Sequence, residues 1–121
     1  MQTMSHGWPS HSERSRGVVA AGMAVEVAFV AEPGPRRILA AGTISAKGTL
    51  DDPALAATLE AGRYQAVFHV GAYYRAAEVT IPEVPFLDVV TYDFGIADPR
   101  QHYHLPFKCT PWGYSCFRGG A

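Results

Sequence analysis

The stretch that decides the fold lies near the C-terminal end of the sequence, at Gln101-His-Tyr-His-Leu-Pro-Phe-Lys-Cys109 and Tyr114-Ser-Cys-Phe-Arg118. The residues between these segments include Pro111-Trp-Gly113, and proline and glycine are the strongest turn-forming residues. The two segments are therefore predicted to be the last two strands of the chain, joined by a tight turn.

Two histidines, His102 and His104, are separated by one residue in the first of these predicted strands. Residues i and i+2 of a strand project from the same face, so the imidazoles would lie together, with Lys108 two steps further along. Such a pair could hold a water, accept its proton or bind a metal. Two histidines do not complete a zinc site, and the spacing also fits two exposed histidines without a chemical role.

Alternation of apolar and polar residues predicts further strands upstream. Met23, Val25, Val27 and Phe29 would share one face of a strand. The short stretch Gly71–Ala77 is the best helix candidate, because good helix formers follow its glycine. Many short strands separated by turn residues, with one short helix, predict a β-sandwich. The predicted strands are 23–31, 36–44, 63–70, 86–94, 101–109 and 114–118.

Length and composition restrict the classes of protein. The 121 residues suffice for one domain, predicted over residues 16–121 after a weakly ordered polar arm at 1–15. A net charge of −1 argues against a general nucleic-acid binder, which needs a basic surface. No apolar run approaches the roughly 18 residues that span a bilayer, and the N-terminus has no apolar signal segment. The predicted location is therefore the cytoplasm.

The two cysteines, Cys109 and Cys116, do not have the spacing of a metal site and are too few for a disulfide scaffold. They could face each other across the predicted hairpin. In a reducing cytosol two reduced thiols are the expected state.

The C-terminal residues also resemble a known signature. Asp98-Pro-Arg-Gln-His-Tyr-His-Leu-Pro106, followed by Thr110-Pro-Trp-Gly-Tyr-Ser-Cys-Phe-Arg-Gly119, resembles the end of 5-hydroxyisourate hydrolases of the transthyretin-like family. That end reads, in outline, His-Tyr-His-Val-Pro and then Ser-Pro-Tyr-Gly-Tyr-Ser-Thr-Tyr-Arg-Gly-Ser. Leu59-Glu-Ala-Gly-Arg-Tyr64 and Gly71-Ala-Tyr-Tyr74 resemble a strand and the start of the single helix in that family. The likeness covers about residues 16 to 119.

The resemblance implies an all-β sandwich of two four-stranded antiparallel sheets with one short helix at about residues 71–77. It also implies a homotetramer, a dimer of dimers, with the site at a subunit interface. The implied activity is a cofactor-free, metal-free hydrolysis that opens the cyclic ureide ring of 5-hydroxyisourate in purine metabolism. The implied partners are a small-molecule substrate and other copies of the chain, without nucleic acid or membrane.

The resemblance assigns catalytic roles to two histidines. His104 matches the second histidine of His-Tyr-His and would activate the water. His11 lies one place from Ser10, the position of the family's first-strand histidine, and would be its partner.

The remaining implied site residues would bind the substrate. Arg118 and Gly119 match the Arg-Gly of the family's tail, whereas Phe117 replaces its tyrosine and Gly120 its serine. Thr49 stands where the family has an arginine. The substrate-binding set is completed by His102.

These departures leave three functions open. A threonine cannot replace the guanidinium fork of an arginine, so the loss at Thr49 weakens charge stabilisation. The chain would be a divergent 5-hydroxyisourate hydrolase, a paralogue that acts on another ring or acyl substrate in specialised metabolism, or a non-catalytic binder of a small ligand.

Overall fold

The computed structural model describes residues 20–30, 36–46, 48–50, 60–101, 103 and 105–119, and the backbone of residues 10–13. Within these residues lie seven strands and one helix. They are β1 (Ser10–Glu13), β2 (Ala24–Val30), β3 (Arg36–Thr43), β4 (Gly62–His69), α1 (Val70–Ala76), β5 (Val89–Ile96), β6 (Pro106–Thr110) and β7 (Gly113–Cys116).

The larger sheet has four antiparallel strands in the order β3-β2-β4-β5. The alternation in β2 predicted the inward positions of Met23, Val25 and Val27 correctly, since all three are fully buried. Phe29 is only half-buried, because the register shifts between Val27 and Ala28. On β4 the predicted inward residues are also buried, with Ala66 opposite Val27 and Phe68 opposite Val25. On the other face of β4, Arg63 is exposed and Gln65 and His69 are half-buried, whereas Val67 is buried. Period-two patterning therefore specifies the core face of this sheet better than its outer face.

The smaller sheet has the order β1-β6-β7 within the described residues. β6 and β7 form the predicted hairpin, whereas β1 runs parallel to β6, with Ser10 opposite Pro106. The predicted β-sandwich with one short helix is confirmed. The smaller sheet was expected to have four antiparallel strands. Its described part has three strands, and one pair of them is parallel. β1 lies within the stretch predicted as an arm, and the predicted boundary between residues 15 and 16 falls outside the described residues.

Two predicted strands begin later than expected. β5 begins at Val89 rather than at residue 86. The carbonyl oxygen of Asp88 accepts a hydrogen bond from the Gly71 N–H at 2.9 Å, so the backbone before Val89 is bonded to α1. β6 begins at Pro106 rather than at Gln101, whose N–H instead closes a turn on the Asp98 carbonyl oxygen at 3.0 Å. Proline suits the first residue of a strand because it donates no hydrogen bond. The turn at 33–35 lies outside the described residues.

The core is formed by side chains from both sheets and from α1. The rings of Phe68 on β4 and Phe107 on β6 stack with their centroids 3.9 Å apart, and both are fully buried. From α1, the buried Tyr74 hydroxyl donates to the Cys109 carbonyl oxygen at 3.3 Å. The helix thus links the two sheets at one end of the sandwich. No helix in the described part of the chain is long and apolar enough to cross a membrane.

The loop between α1 and β5 is held against the helix. Arg75 donates from Nη2 to the carbonyl oxygens of Glu83 at 2.9 Å and Pro82 at 3.4 Å. Gly71 packs so closely on the loop that an added Cβ would lie 2.5 Å from Asp88 Oδ1 and 2.9 Å from Pro85 Cγ. The absence of a side chain at residue 71 therefore permits this packing.

We expect Gly71→Ala to lower the free energy of unfolding by about 1–3 kcal/mol, because the methyl group overpacks the contact with Pro85 and Asp88. The matched control is Gly95→Ala, whose Cβ would lie an ordinary 3.7 Å from the Gly62 carbonyl oxygen. That variant is expected to be as stable as the parent or slightly more so. Chemical denaturation measures both, and equal midpoints for the two variants would contradict the packing argument.

Candidate functional site

The outer face of β6 and β7 carries a small cluster of polar groups. Along β6, Phe107 and Cys109 are buried in the core, while Lys108 and Thr110 on the opposite face are half-buried. The antiparallel register places Lys108 opposite Ser115. A cavity of about 270 Å³ lies here, lined by Lys108, Thr110, Gly113, Tyr114 and Ser115.

The polar groups of this cavity differ in how they are bonded. The Thr110 hydroxyl accepts hydrogen bonds from the N–H groups of Trp112 at 3.0 Å and Gly113 at 3.1 Å, which fixes the hairpin turn. The Ser115 hydroxyl oxygen is buried and has no hydrogen-bond partner in the described structure. Neither Lys108 nor Ser115 belongs to a sequence pattern that predicts a role for it. The signal that could have linked them is the cross-strand register of the predicted hairpin.

Arg118 lies against the centre of the His-Tyr-His segment. Its guanidinium carbon is 4.1 Å from the centroid of the Tyr103 ring, and Nη2 is 3.4 Å from Gln101 Oε1. Tyr103 is 7% exposed, and its hydroxyl accepts a hydrogen bond from the Asp98 N–H at 3.5 Å. A guanidinium over an aromatic ring is stabilised by a cation–π interaction. The structure therefore brings together the tail arginine and the residue between His102 and His104, two histidines that lie outside the described residues.

Thr49 is part of a tight turn after β3. It is 8% exposed, and its hydroxyl lies 3.3 Å from that of Ser45. The Ser45 N–H donates to the Thr49 carbonyl oxygen at 2.8 Å, and Gly48 adopts a φ of 87°, which favours glycine. The hydroxyl of Thr49 thus contributes to the turn.

The other predicted site residues lie on the smaller sheet or just beyond it. In the β1–β6 ladder the backbone of His11 is opposite Phe107, whereas Ser10 is opposite Pro106. Phe117 is 46% exposed, and its N–H donates to the Pro106 carbonyl oxygen at 3.4 Å. Gly119 is half-buried. The predicted roles of these residues stay predictions.

The two cysteines are not opposite each other in the hairpin. The register pairs Cys109 with Tyr114 and Cys116 with Phe107, and both thiols are free. Burial raises the pKa of the Cys116 thiol to about 12. The described residues also contain no group of three histidine, cysteine or acidic side chains that could hold a metal ion.

We expect native Cys116 to be alkylated at pH 8 at least about 100-fold more slowly than in denatured protein, because the raised pKa suppresses the reactive thiolate. In a Cys109→Ala background, the rate should rise about tenfold per pH unit from pH 8 to pH 11. Iodoacetamide labelling followed by mass spectrometry measures this rate. A plateau by pH 9 would indicate an ordinary thiol pKa and would contradict the expectation.

Comparison with known proteins places the chain among relatives of this architecture. A 5-hydroxyisourate hydrolase of Ralstonia nicotianae is 56% identical over 61 residues, which are 50% of this chain and 52% of that protein. The chain thus spans about half the length of that relative. A 5-hydroxyisourate hydrolase of Pseudomonas aeruginosa is 36% identical over 116 residues, 95% of this chain and 83% of that protein.

A solved structure and a family model agree with these relatives. The structure of Klebsiella pneumoniae 5-hydroxyisourate hydrolase superposes with a TM-score of 0.74 at 29% identity, covering 93% of this chain and 95% of that one. The model of the HIUase/Transthyretin family matches residues 12–119, from the second half of β1 to the end of the described tail. With nearly the whole chain matched, the protein belongs to the HIUase/Transthyretin family.

Proposed function

We propose that this protein is a hydrolase that opens the ring of 5-hydroxyisourate or of a closely related cyclic ureide. Family membership and the names of its relatives support the reaction class. The observation that carries the proposal is the contact of Arg118 with Tyr103, at 4.1 Å from guanidinium carbon to ring centroid. It joins the two parts of the hydrolase signature that this sequence retains, the His-Tyr-His segment and the Arg-Gly of the tail.

In the proposed reaction, His104 accepts a proton from water while the water oxygen attacks a ring carbonyl carbon. An oxyanion forms and then collapses, the ring C–N bond breaks, and the nitrogen takes the proton from His104. His11 would orient the water with His104. The ring would be contacted by His102, Thr49, Phe117, Arg118 and Gly119.

Charge stabilisation is the weak point of this reaction in the present chain. Loss of one donor to a developing oxyanion typically reduces the rate about 100- to 1000-fold. The Thr49 hydroxyl is only 3.3 Å from the Ser45 hydroxyl, within a turn where it is almost completely buried. Another cation must therefore take this role, and Arg118 is one candidate on the described surface.

The replacement of the family arginine by Thr49 favours a second candidate function. Because Phe117 also replaces the tail tyrosine, the site would suit a substrate that develops less charge in the reaction. The protein would then be a paralogue that hydrolyses a different ring or acyl compound. A non-catalytic small-ligand binder is the third possible outcome of the experiment below.

We expect micromolar protein to accelerate the decay of 5-hydroxyisourate, followed by its ultraviolet absorbance. His104→Ala should reduce kcat/KM about 100- to 10,000-fold, the range expected for loss of a general base. The matched control is His69→Ala, on the larger sheet beside Glu26 at 3.7 Å, which should retain full activity.

Three results would change the proposal. No acceleration by the parent protein would exclude the hydroxyisourate reaction. Unchanged turnover in His104→Ala would exclude His104 as the base. Saturable uptake of a ring ligand without product would identify a binder.

We also propose that the protein assembles as a homotetramer, a dimer of dimers, in the cytoplasm. Among the described strands, β5 and β7 lie at edges of the two sheets, and unpaired edges readily pair with another chain. Large apolar side chains are exposed in the segments that precede these strands: Phe86, before β5, is 75% exposed, and Trp112, before β7, is 58% exposed, with their ring centroids 6.3 Å apart. An exposed apolar patch beside two open edges is typical of a subunit interface.

We expect Trp112→Glu to dissociate the assembly, because it places a charge in the apolar patch. The matched control is Ile38→Glu, which changes a 46% exposed residue on β3, at the opposite edge of the larger sheet from β5. Size-exclusion chromatography with light scattering measures the mass of each. A parent protein that is monomeric, or an unchanged mass for Trp112→Glu, would contradict this interface.

A further inference from the structure

The outer face of the β6–β7 hairpin carries a positive charge and a buried hydroxyl that the proposed reaction does not use. We propose that Lys108 and Ser115 form a subsite for the anionic oxygen of a planar cyclic ureide, either a ring oxyanion or a carboxylate. That the ligand is a cyclic ureide rests on the proposed function, whereas the preference for an anionic ligand rests on Lys108 and Ser115. Lys108 would thereby provide the charge that Thr49 cannot.

The backbone places the two side chains together. The burial of Phe107 and Cys109 in the core directs Lys108 to the outer face, because side chains alternate along a strand. Lys108 is directly opposite Ser115 in the antiparallel register. Side chains at such paired positions have Cβ atoms about 4.5–5.5 Å apart, so one small ligand group can contact both.

Neither group is occupied by another part of the described structure. No ion pair joins Lys108 to an acidic side chain among the described residues. Within the same residues the buried Ser115 hydroxyl has no hydrogen-bond partner. A buried hydroxyl without a partner is destabilising, so a ligand oxygen that accepts its hydrogen bond offsets that cost.

The cavity also restricts the size and orientation of the ligand. Its volume of about 270 Å³ is slightly below the roughly 300–1,000 Å³ of drug-sized sites and suits a single ring. The Thr110 hydroxyl on its wall is engaged by the N–H groups of Trp112 and Gly113. The side-chain donors left for a ligand are therefore the ammonium of Lys108 and the hydroxyls of Ser115 and Tyr114. Lys108 is the one cation among the lining residues, and an ammonium favours an anionic oxygen.

The test uses two rings that differ by one carboxylate, orotate and uracil. The sequence contains only two lysines, Lys47 and Lys108. Reductive methylation with ¹³C-formaldehyde therefore yields two lysine signals and that of the α-amino group in the full-length protein. Lys108→Arg identifies the Lys108 signal by its loss. We expect orotate to shift this signal saturably and to bind at least about tenfold more tightly than uracil.

Charge variants separate a specific contact from general attraction. Lys108→Met should abolish the preference for orotate, and Lys108→Arg should retain most of it in calorimetric titrations. The matched control is Arg36→Met, which removes one positive charge from a side chain bonded to Gln65 on the larger sheet. That variant should bind orotate as the parent does.

Ser115→Ala separates binding from stability. It should weaken orotate binding about threefold to tenfold while leaving Tm unchanged or raising it by about 3–6 °C, because the Ser115 hydroxyl makes no hydrogen bond among the described residues. A lower Tm with unchanged orotate binding would assign Ser115 a structural role and overturn its part in the subsite.

The proposal is wrong if orotate leaves the Lys108 signal unchanged, or if Lys108→Met binds orotate as tightly as the parent. Because these readouts do not depend on turnover, they are separate from the hydrolase test. A protein that hydrolyses hydroxyisourate but shows no Lys108 response would retain its function and lose this subsite. A protein that binds orotate through Lys108 without hydrolysing hydroxyisourate would retain the subsite.

Discussion

The stacked rings of Phe68 and Phe107 are the contact on which the two-sheet arrangement depends. They lie on different sheets, are fully buried, and are inclined by only 3° at a centroid distance of 3.9 Å. Such a pair adds roughly 0.5–1.5 kcal/mol to the free energy gained from burial of its surface. Because side chains alternate along β6, the inward position of Phe107 also determines that Lys108 faces outward. The alternation of side chains along β6 therefore determines both the core contact of Phe107 and the outward position of Lys108.

Patterns local to one element could be predicted from the sequence, whereas contacts between distant elements could not. Alternation predicted β2 and β4 with their buried faces, and composition predicted α1 to within one residue at each end. β6 begins late because Gln101 closes a turn with Asp98. The sequence signal for this turn is weaker than the strand pattern of the residues around it. The register of Cys109 and Cys116 depends on the geometry of the turn between them.

The candidate site shows the same division. The resemblance predicted that Arg118 and the His-Tyr-His segment belong to one site, and the structure brings Arg118 onto Tyr103. Thr49 was predicted to bind the substrate, which stays a prediction, and its burial against Ser45 could not be predicted, because both residue types are also common at exposed turns. The burial of the Ser115 hydroxyl without a partner in the described part of the chain is a property of three-dimensional packing alone. Chemical roles that depend on what surrounds a side chain therefore required the structure.

The parallel pairing of β1 with β6 has a consequence for the order of folding. Ser10 and Pro106 are neighbours in the ladder although nearly the whole chain separates them. The four strands of the larger sheet and α1 all lie between them in sequence, so these elements can assemble from shorter loops. High contact order slows folding, and closure of this ladder has the longest loop to overcome. The smaller sheet, and with it the outer face that carries Lys108, would then be completed last, on a larger sheet that is already formed.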